Sequence, residues 1–226
     1  LKMGAKVAIH YHSNKKSTEE LTKGYSKENW KIFKADLAIN DNVISLISEV
    51  EKYFNKIDVI ILNAGIYVSH EVSLENNDWL AIWNKTMNVN LNSSGLLTKL
   101  GIQHFQKNKG GSFIYISSRA ANRGETEEFL GYAASKGGVT SLAKSVARSF
   151  GKYNIKSFVI APGFVKTKMA DSFINKYGEK RVLDELSLNE LTQPEDLTGI
   201  IGLLCSGLLD HATGTTIDIN AGSYIR

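Results

Sequence analysis

Cys205 is the only cysteine in 226 residues. It excludes a disulfide within the chain and fits a reducing compartment, so a cytoplasmic protein is expected. Long apolar runs are missing as well. The longest, at 57–62, is strand-sized and far below the about 20 residues that span a bilayer, so no membrane partner is expected. No apolar signal core opens the chain. Basic residues form no block: 27 Lys and Arg against 23 Asp and Glu leave a net charge of +4, spread along the sequence. That argues against a nucleic-acid partner and leaves a mild attraction for anions such as phosphates. No metal set is evident. His10 and His12 share a strand face without a third ligand, and His70, His104 and His211 stand apart. No repeat, low-complexity tract or linker divides residues 1–226, which predicts one domain with a sizeable core.

What is present is an alternation of two hydrophobic periods. Gly4 reads as closing a helix end. Strands are predicted at 6–10, 30–35, 57–62, 112–117, 155–160 and 215–219. Helices are predicted near 17–25, from a cap at Asn40 or Asp41 through Phe54, at 73–83, on through Asn90 to Lys107, at 132–150, and from Pro194 to Cys205. The stretch 167–190 is mixed and polar, helical in parts. Alternating strands and helices give an α/β fold: a Rossmann-like, doubly wound parallel sheet in three layers. Ligands of such sheets sit beyond the carboxyl ends of the strands. Asp36, Asn63 to Gly65, Ser118, Pro162 and Gly163 all follow strands directly.

Tyr132 and Lys136 lie one turn apart on one helix face. An ammonium beside a phenol favours the phenolate. A shift from about 10 to about 7 needs about 4 kcal/mol and would make Tyr132 a general acid/base at neutral pH. A second Tyr-x-x-x-Lys pair, Tyr11 and Lys15, leads into a turn-like run instead. Upstream of Tyr132, the strand at 112–117 ends in the hydroxyls of Ser117 and Ser118.

These motifs, in this order, resemble the short-chain dehydrogenase/reductase family, of the 3-oxoacyl-carrier-protein reductase type. The resemblance runs from Gly4 to the end. It implies a catalytic set of Asn90, Ser118, Tyr132 and Lys136. Ser118, with Ser117 as the alternative, would bind the substrate carbonyl. Asn90 would kink its helix and hold a water of a proton relay, with Asn88 as the blander neighbour. Asn63, Ala64 and Gly65 match the family turn beside the adenine ribose, and Asp36, followed by Leu37, matches the acid that meets the adenine amino group. Read without the family, Asp36 is equally a helix-entry residue. Pro162, Gly163, Val165 and Thr167 match the segment that holds the nicotinamide carboxamide, and Lys136 would also hold the nicotinamide ribose.

The implied activity is NAD(P)-dependent hydride transfer to or from a small carbonyl or alcohol, an acyl-carrier-protein-bound 3-oxoacyl group among them. NADP(H) is expected over NAD(H), because the run from Ile9 to Lys16 has no carboxylate to grip ribose hydroxyls and carries Lys15 and Lys16. A homodimer or homotetramer is expected, through outer faces carrying Leu96, Leu97, Leu100 and Phe105, and Leu142, Val146 and Phe150. Two departures stand out. Asn220-Ala221-Gly222 replaces the family's Asp-Gly-Gly, and the opening strand with its Gly-rich Thr-Gly-x-x-x-Gly-x-Gly turn is absent. A longer enzyme is therefore expected, and the strands at 6–10 and 57–62 should each lack a neighbour. The alternative class is a non-catalytic Rossmann-like nucleotide-binding or scaffold protein.

Overall fold

The computed structural model describes residues 1–167, 170, 174 and 178–226, so part of the 167–190 stretch lies outside the described residues. Among the described residues the strands are β1 (Val7–Tyr11), β2 (Trp30–Lys34), β3 (Val59–Leu62), β4 (Gly111–Ile116), β5 (Ile155–Pro162) and β6 (Thr216–Ile219). The helices are α1 (Lys15–Glu20), α2 (Asn40–Phe54), α3 (Asn76–Met87), α4 (Ser93–Lys107), α5 (Ala120–Arg123), α6 (Leu130–Phe150), α7 (Glu179–Leu183) and α8 (Pro194–Cys205). Every strand pair is parallel, and helices make the crossovers that parallel pairing requires.

β4 shows why helices cover both faces. Its side chains alternate, as any strand's must. Phe113 and Tyr115 pack with Phe105 of α4 and Val139, Ala143 and Val146 of α6. Ile114 and Ile116 pack the other way, with Leu197 and Leu204 of α8. Each such apolar side chain contributes roughly 1.5–3 kcal/mol on burial. α4 comes close to the sheet because Gly101 has no side chain: a Cβ there would lie 2.6 Å from Ile60 and 2.7 Å from Phe113.

The strands form two sheets, ordered β1-β2 and β3-β4-β5-β6. As anticipated, β1 and β3 each keep an edge that no strand pairs among the described residues. The space between them is a cleft of about 610 Å³ lined by Val7, Ile9, Phe33, Leu46 and Val59 among others. The apolar 57–62 run, of the continuous β-branched kind that buried parallel strands carry, is not buried throughout. Ile61 lines the cleft and is 44% exposed.

Other departures are local. α2 buries Val43, Leu46, Ile47 and Val50 but leaves Ile44 47% exposed, one step off the stripe. Its N-cap is Ile39, with no side-chain cap bond, rather than Asn40 or Asp41. α8 begins at Pro194 as predicted, closed by a capping box in which the Gln193 amide donates to Asp196 at 2.7 Å. Leu97, Phe105 and Val146, assigned above to an outer face, are buried in the core. Leu96, Leu100, Leu142 and Phe150 are only partly buried against it.

Candidate active site

The end of β4 and the first turns of α6 build the site. Ser117 and Ser118 follow β4 on opposite sides of the chain, and their partners separate their roles. The Ser117 hydroxyl donates to the Lys136 carbonyl at 3.1 Å and pairs with the Thr140 hydroxyl at 2.7 Å, which ties α6 to the sheet. Ser118 lines the same cavity as Tyr132 and lies near enough to lower its pKa, and its hydroxyl accepts from the Ala120 amide at 3.1 Å as α5 begins. One turn past Tyr132, the Lys136 ammonium donates to the Ile116 carbonyl at 2.8 Å. Both α6 residues are thus fixed on the last turn of chain after β4.

Burial dominates the electrostatics. It pushes the Tyr132 phenol up to about 12; the Ser118 hydroxyl pulls the other way, and Glu125 adds to the rise. Burial also lowers Lys136 to about 8. The expected lowering of the Tyr132 pKa by Lys136 is therefore corrected. The ammonium lies 5.8 Å from the centre of the Tyr132 ring and is committed to Ile116, so desolvation outweighs it.

Asn90 sits in a π-helical turn, Asn88–Asn92, that joins α3 to α4. Wider turns of this kind re-aim a side chain out of the regular helical ladder. The Asn90 carboxamide accepts from the Ile66 amide at 2.8 Å and donates to the Ile66 carbonyl at 3.0 Å and to the Ser135 hydroxyl at 3.0 Å. Ser135 in turn donates to the Tyr132 carbonyl at 2.7 Å. Asn90 therefore ties the loop after β3 to the turn that carries Tyr132. Both its side-chain N–H groups are engaged in these bonds. Asn88 instead accepts from Asn92 at 2.8 Å, away from the site.

A cavity of about 620 Å³ brings together Asn63, Ala64, Gly65, Ser118, Tyr132, Lys136, Pro162, Gly163, Val165 and Thr167. Gly65 is required to be small: a Cβ would lie 3.3 Å from the Lys136 ammonium and 3.5 Å from Asn90 Oδ1. Asp36 and Leu37 lie elsewhere. Asp36 accepts from the Ala38 amide at 2.9 Å and approaches His12 at 3.6 Å, while Leu37 is buried along the inter-sheet cleft. That cleft shares Asn63 and Ala64 with the active cavity, so the two spaces adjoin. Sequence reasoning missed Tyr67 on this wall, whereas Arg119 and Glu125 fall in the 119–130 loop that it places beside the site as a source of specificity. Tyr67 stacks on Phe129 at 3.7 Å and meets Tyr132 edge-on at 4.7 Å.

Comparison with known proteins gives a consistent picture. A sequence model described as enoyl-(acyl carrier protein) reductase matches residues 1–223. The 3-oxoacyl-[acyl-carrier-protein] reductase FabG of Buchnera aphidicola is 31% identical over 202 residues, covering 89% of this chain and 80% of its own. The FabG of Rickettsia conorii is 29% identical over 221 residues, with 98% and 87% covered. Dehydrogenase/reductase SDR family member 4 of Homo sapiens is 29% identical over 182 residues, or 80% of this chain, which spans 64% of that relative's length. Among solved structures, the NADPH-dependent 3-quinuclidinone reductase of Rhodotorula rubra superposes with a TM-score of 0.85 at 28% identity, covering 96% of this chain and 81% of its own. A candidate gluconate dehydrogenase of Agrobacterium tumefaciens shares the fold, with a TM-score of 0.88 at 19% identity over 97% of this chain and 86% of its own. With the parallel sheet, the Ser118, Tyr132 and Lys136 cluster and these matches together, the chain belongs to the short-chain dehydrogenase/reductase family.

Proposed function

We propose that the protein is an NAD(P)-dependent oxidoreductase that moves a hydride between a nicotinamide and a ketone or secondary alcohol. The observation that carries this reading is that Ser118, Tyr132 and Lys136 line one cavity of about 620 Å³, with the Lys136 ammonium one turn past Tyr132. The residues present fit the nicotinamide half of such a cofactor. A buried cation at Lys136 adjoins a turn of small residues, Asn63 to Gly65, and Val165 and Thr167 add backbone and hydroxyl partners. When bound, the cofactor supplies or accepts the hydride.

The chain's own groups handle orientation and the proton. Ser118 donates to the carbonyl oxygen and fixes its direction. Tyr132, protonated at neutral pH with a pKa of about 12, gives its proton to that oxygen as charge develops there. In the reverse direction it takes the proton back. Lys136 holds the ribose with its ammonium. Asn90 keeps Tyr132 in place through Ser135.

NADP(H) is the preferred form, since His12 in the turn after β1 and Lys15 and Lys16 at the start of α1 are basic and the run 9–16 holds no carboxylate. Relatives named as 3-oxoacyl-[acyl-carrier-protein] reductases put carrier-bound 3-oxoacyl groups within the substrate class. Two or four copies assemble through α4 and α6. The test is the rate of ketone reduction by the full-length protein and by Tyr132→Phe. Losing a proton donor typically costs 10²–10⁴-fold, so kcat/KM should fall at least about a hundredfold while cofactor binding persists. Retention of more than about a tenth of the activity would remove Tyr132 from its role. In the same assay kcat/KM should be larger with NADPH; a larger value with NADH contradicts the cofactor reading.

A further inference from the structure

The first turn of α6 is also held from a side that the proton transfer does not use. His70 is fully buried in the loop after β3, and its backbone amide donates to the Glu128 carbonyl at 2.8 Å. Its ring reaches further along the chain: the Gly131 amide donates to Nε2 at 3.1 Å. An amide N–H cannot accept, so Nε2 is the bare nitrogen and the ring proton sits on Nδ1, 3.3 Å from the Val68 carbonyl. Amides in the first turn of a helix have no carbonyl of their own helix to meet. At Gly131, one residue before Tyr132, the His70 ring supplies the acceptor. The seat is close-fitting. A Cβ on Gly131 would lie 3.2 Å from Trp83 and 3.3 Å from the His70 ring. Trp79 and Trp83, one turn apart on α3, stack with ring centres 5.0 Å apart and meet the His70 ring edgewise at 5.3 and 6.2 Å.

We propose that His70 is a positioning residue for the reaction: its Nε2 fixes the first turn of α6 and with it the place of the Tyr132 hydroxyl in the cavity. This rests on reading Tyr132 as the proton donor. Two fastenings flank Tyr132, and both are anchored in the loop after β3. Asn90 bonds to Ile66 and to Ser135, which donates to the Tyr132 carbonyl. His70 holds the Glu128 carbonyl and the Gly131 amide on the other side. The first fastening fixes the carbonyl end of the Tyr132 residue, and the second fixes the chain entering it. The same loop carries Asn63 to Gly65 on the cavity wall, so these bonds register the proton donor against the turn that would face the cofactor. Without the Nε2 acceptor, the buried Gly131 amide is left unpaired, and the turn shifts to find another partner. A displacement of about 1 Å at a reacting group can cost about a hundredfold in rate.

The experiment measures single-turnover oxidation of NADPH by the full-length protein with an acetoacetyl thioester or hydroxyacetone, whichever is reduced faster. The NADPH dissociation constant is measured alongside. His70→Gln puts a carboxamide near the Nε2 position, where it can still accept from Gly131. His70→Asn carries the same group near the Nδ1 position, within reach of Val68 alone. His70→Leu keeps bulk and has no acceptor. The rate at saturating ketone should fall at least about tenfold in His70→Asn and His70→Leu and stay within about threefold in His70→Gln. NADPH affinity should change by less than about threefold throughout, which places the loss in the chemical step. A histidine that only fills space or meets Val68 would not separate Gln from Asn in this way. If His70→Leu does not fold, the Gln and Asn pair decides. Equal rates in His70→Asn and His70→Gln, or an unaltered rate in His70→Leu, overturn the positioning role and leave the oxidoreductase reading standing. Activity retained by Tyr132→Phe, or no reduction of either ketone by the unaltered protein, overturns that reading and this inference with it.

Discussion

Lys136 is 5% exposed, and the Ile116 carbonyl, 2.8 Å away, is the hydrogen-bond partner of its ammonium. Burial holds its pKa near 8 against an ordinary 10.5. Between those two values the unfolded chain keeps a proton that the folded chain has lost, so stability rises with pH across that window. Below about pH 8 both states are charged and the full penalty of about 3 kcal/mol is present. Replacing Lys136 by Met removes this dependence. The stability of the unaltered protein relative to Lys136→Met should therefore rise by ~2 kcal/mol from pH 8 to pH 10, measured by denaturant unfolding of both. A difference that stays level, or moves the other way, contradicts a buried Lys136. At this scale the sequence was legible where order along the chain carries meaning. Ser118, Tyr132, Lys136 and Asn90 converge as read. The direction of the Tyr132 shift was not legible, because spacing shows a neighbouring cation but not the desolvation that outweighs it. Ala221 takes a positive φ of 52° where the family carries glycine, a strain of roughly 1–2 kcal/mol for a residue with a Cβ.

α4 and α6 show what periodicity can and cannot assign. Each has enough apolar residues for more than one face, and the sequence cannot say which faces the sheet. In the fold, Leu97, Phe105 and Val146 serve the core, while Leu96 and Leu100 on α4 and Leu142 and Phe150 on α6 remain partly exposed. Those four side chains are the ones available for pairing between copies. Light scattering at micromolar concentration should give two or four times the 24.9 kDa chain mass, and Leu142→Glu should shift the population toward smaller species. A monomer mass for the unaltered protein contradicts the pairing. Other element boundaries followed local chemistry. Pro194 marks the start of α8 because its missing N–H costs nothing there. The α2 start was misplaced because Asn40 and Asp41 look like caps, yet the chain at Ile39 is already extended. The π turn at Asn88–Asn92 was legible only as an oddity, an Asn inside a long helix, and its wider geometry required tertiary bonds from Ile66 and Ser135.

For the molecule as a whole, alternating periods were enough to read a parallel α/β sheet with helices on both faces. The unpaired edges of β1 and β3 were legible only through the family resemblance, in which a further strand lies between them. The size of the cleft between those edges, and its junction with the active cavity at Asn63 and Ala64, depend on how the two sheets pack, which no local pattern encodes. The central claim is that the cavity beyond the carboxyl ends of β3, β4 and β5 carries out hydride transfer with Tyr132 managing the proton. The most direct measurement incubates the full-length protein with a ketone such as hydroxyacetone and NADPH dideuterated at nicotinamide C4, and reads the alcohol product by mass spectrometry. The account predicts one deuterium on the new carbinol carbon and none when Tyr132→Phe replaces the protein at equal concentration and time. Alcohol without carbon-bound deuterium, or no alcohol with either NADPH or NADH, would contradict it.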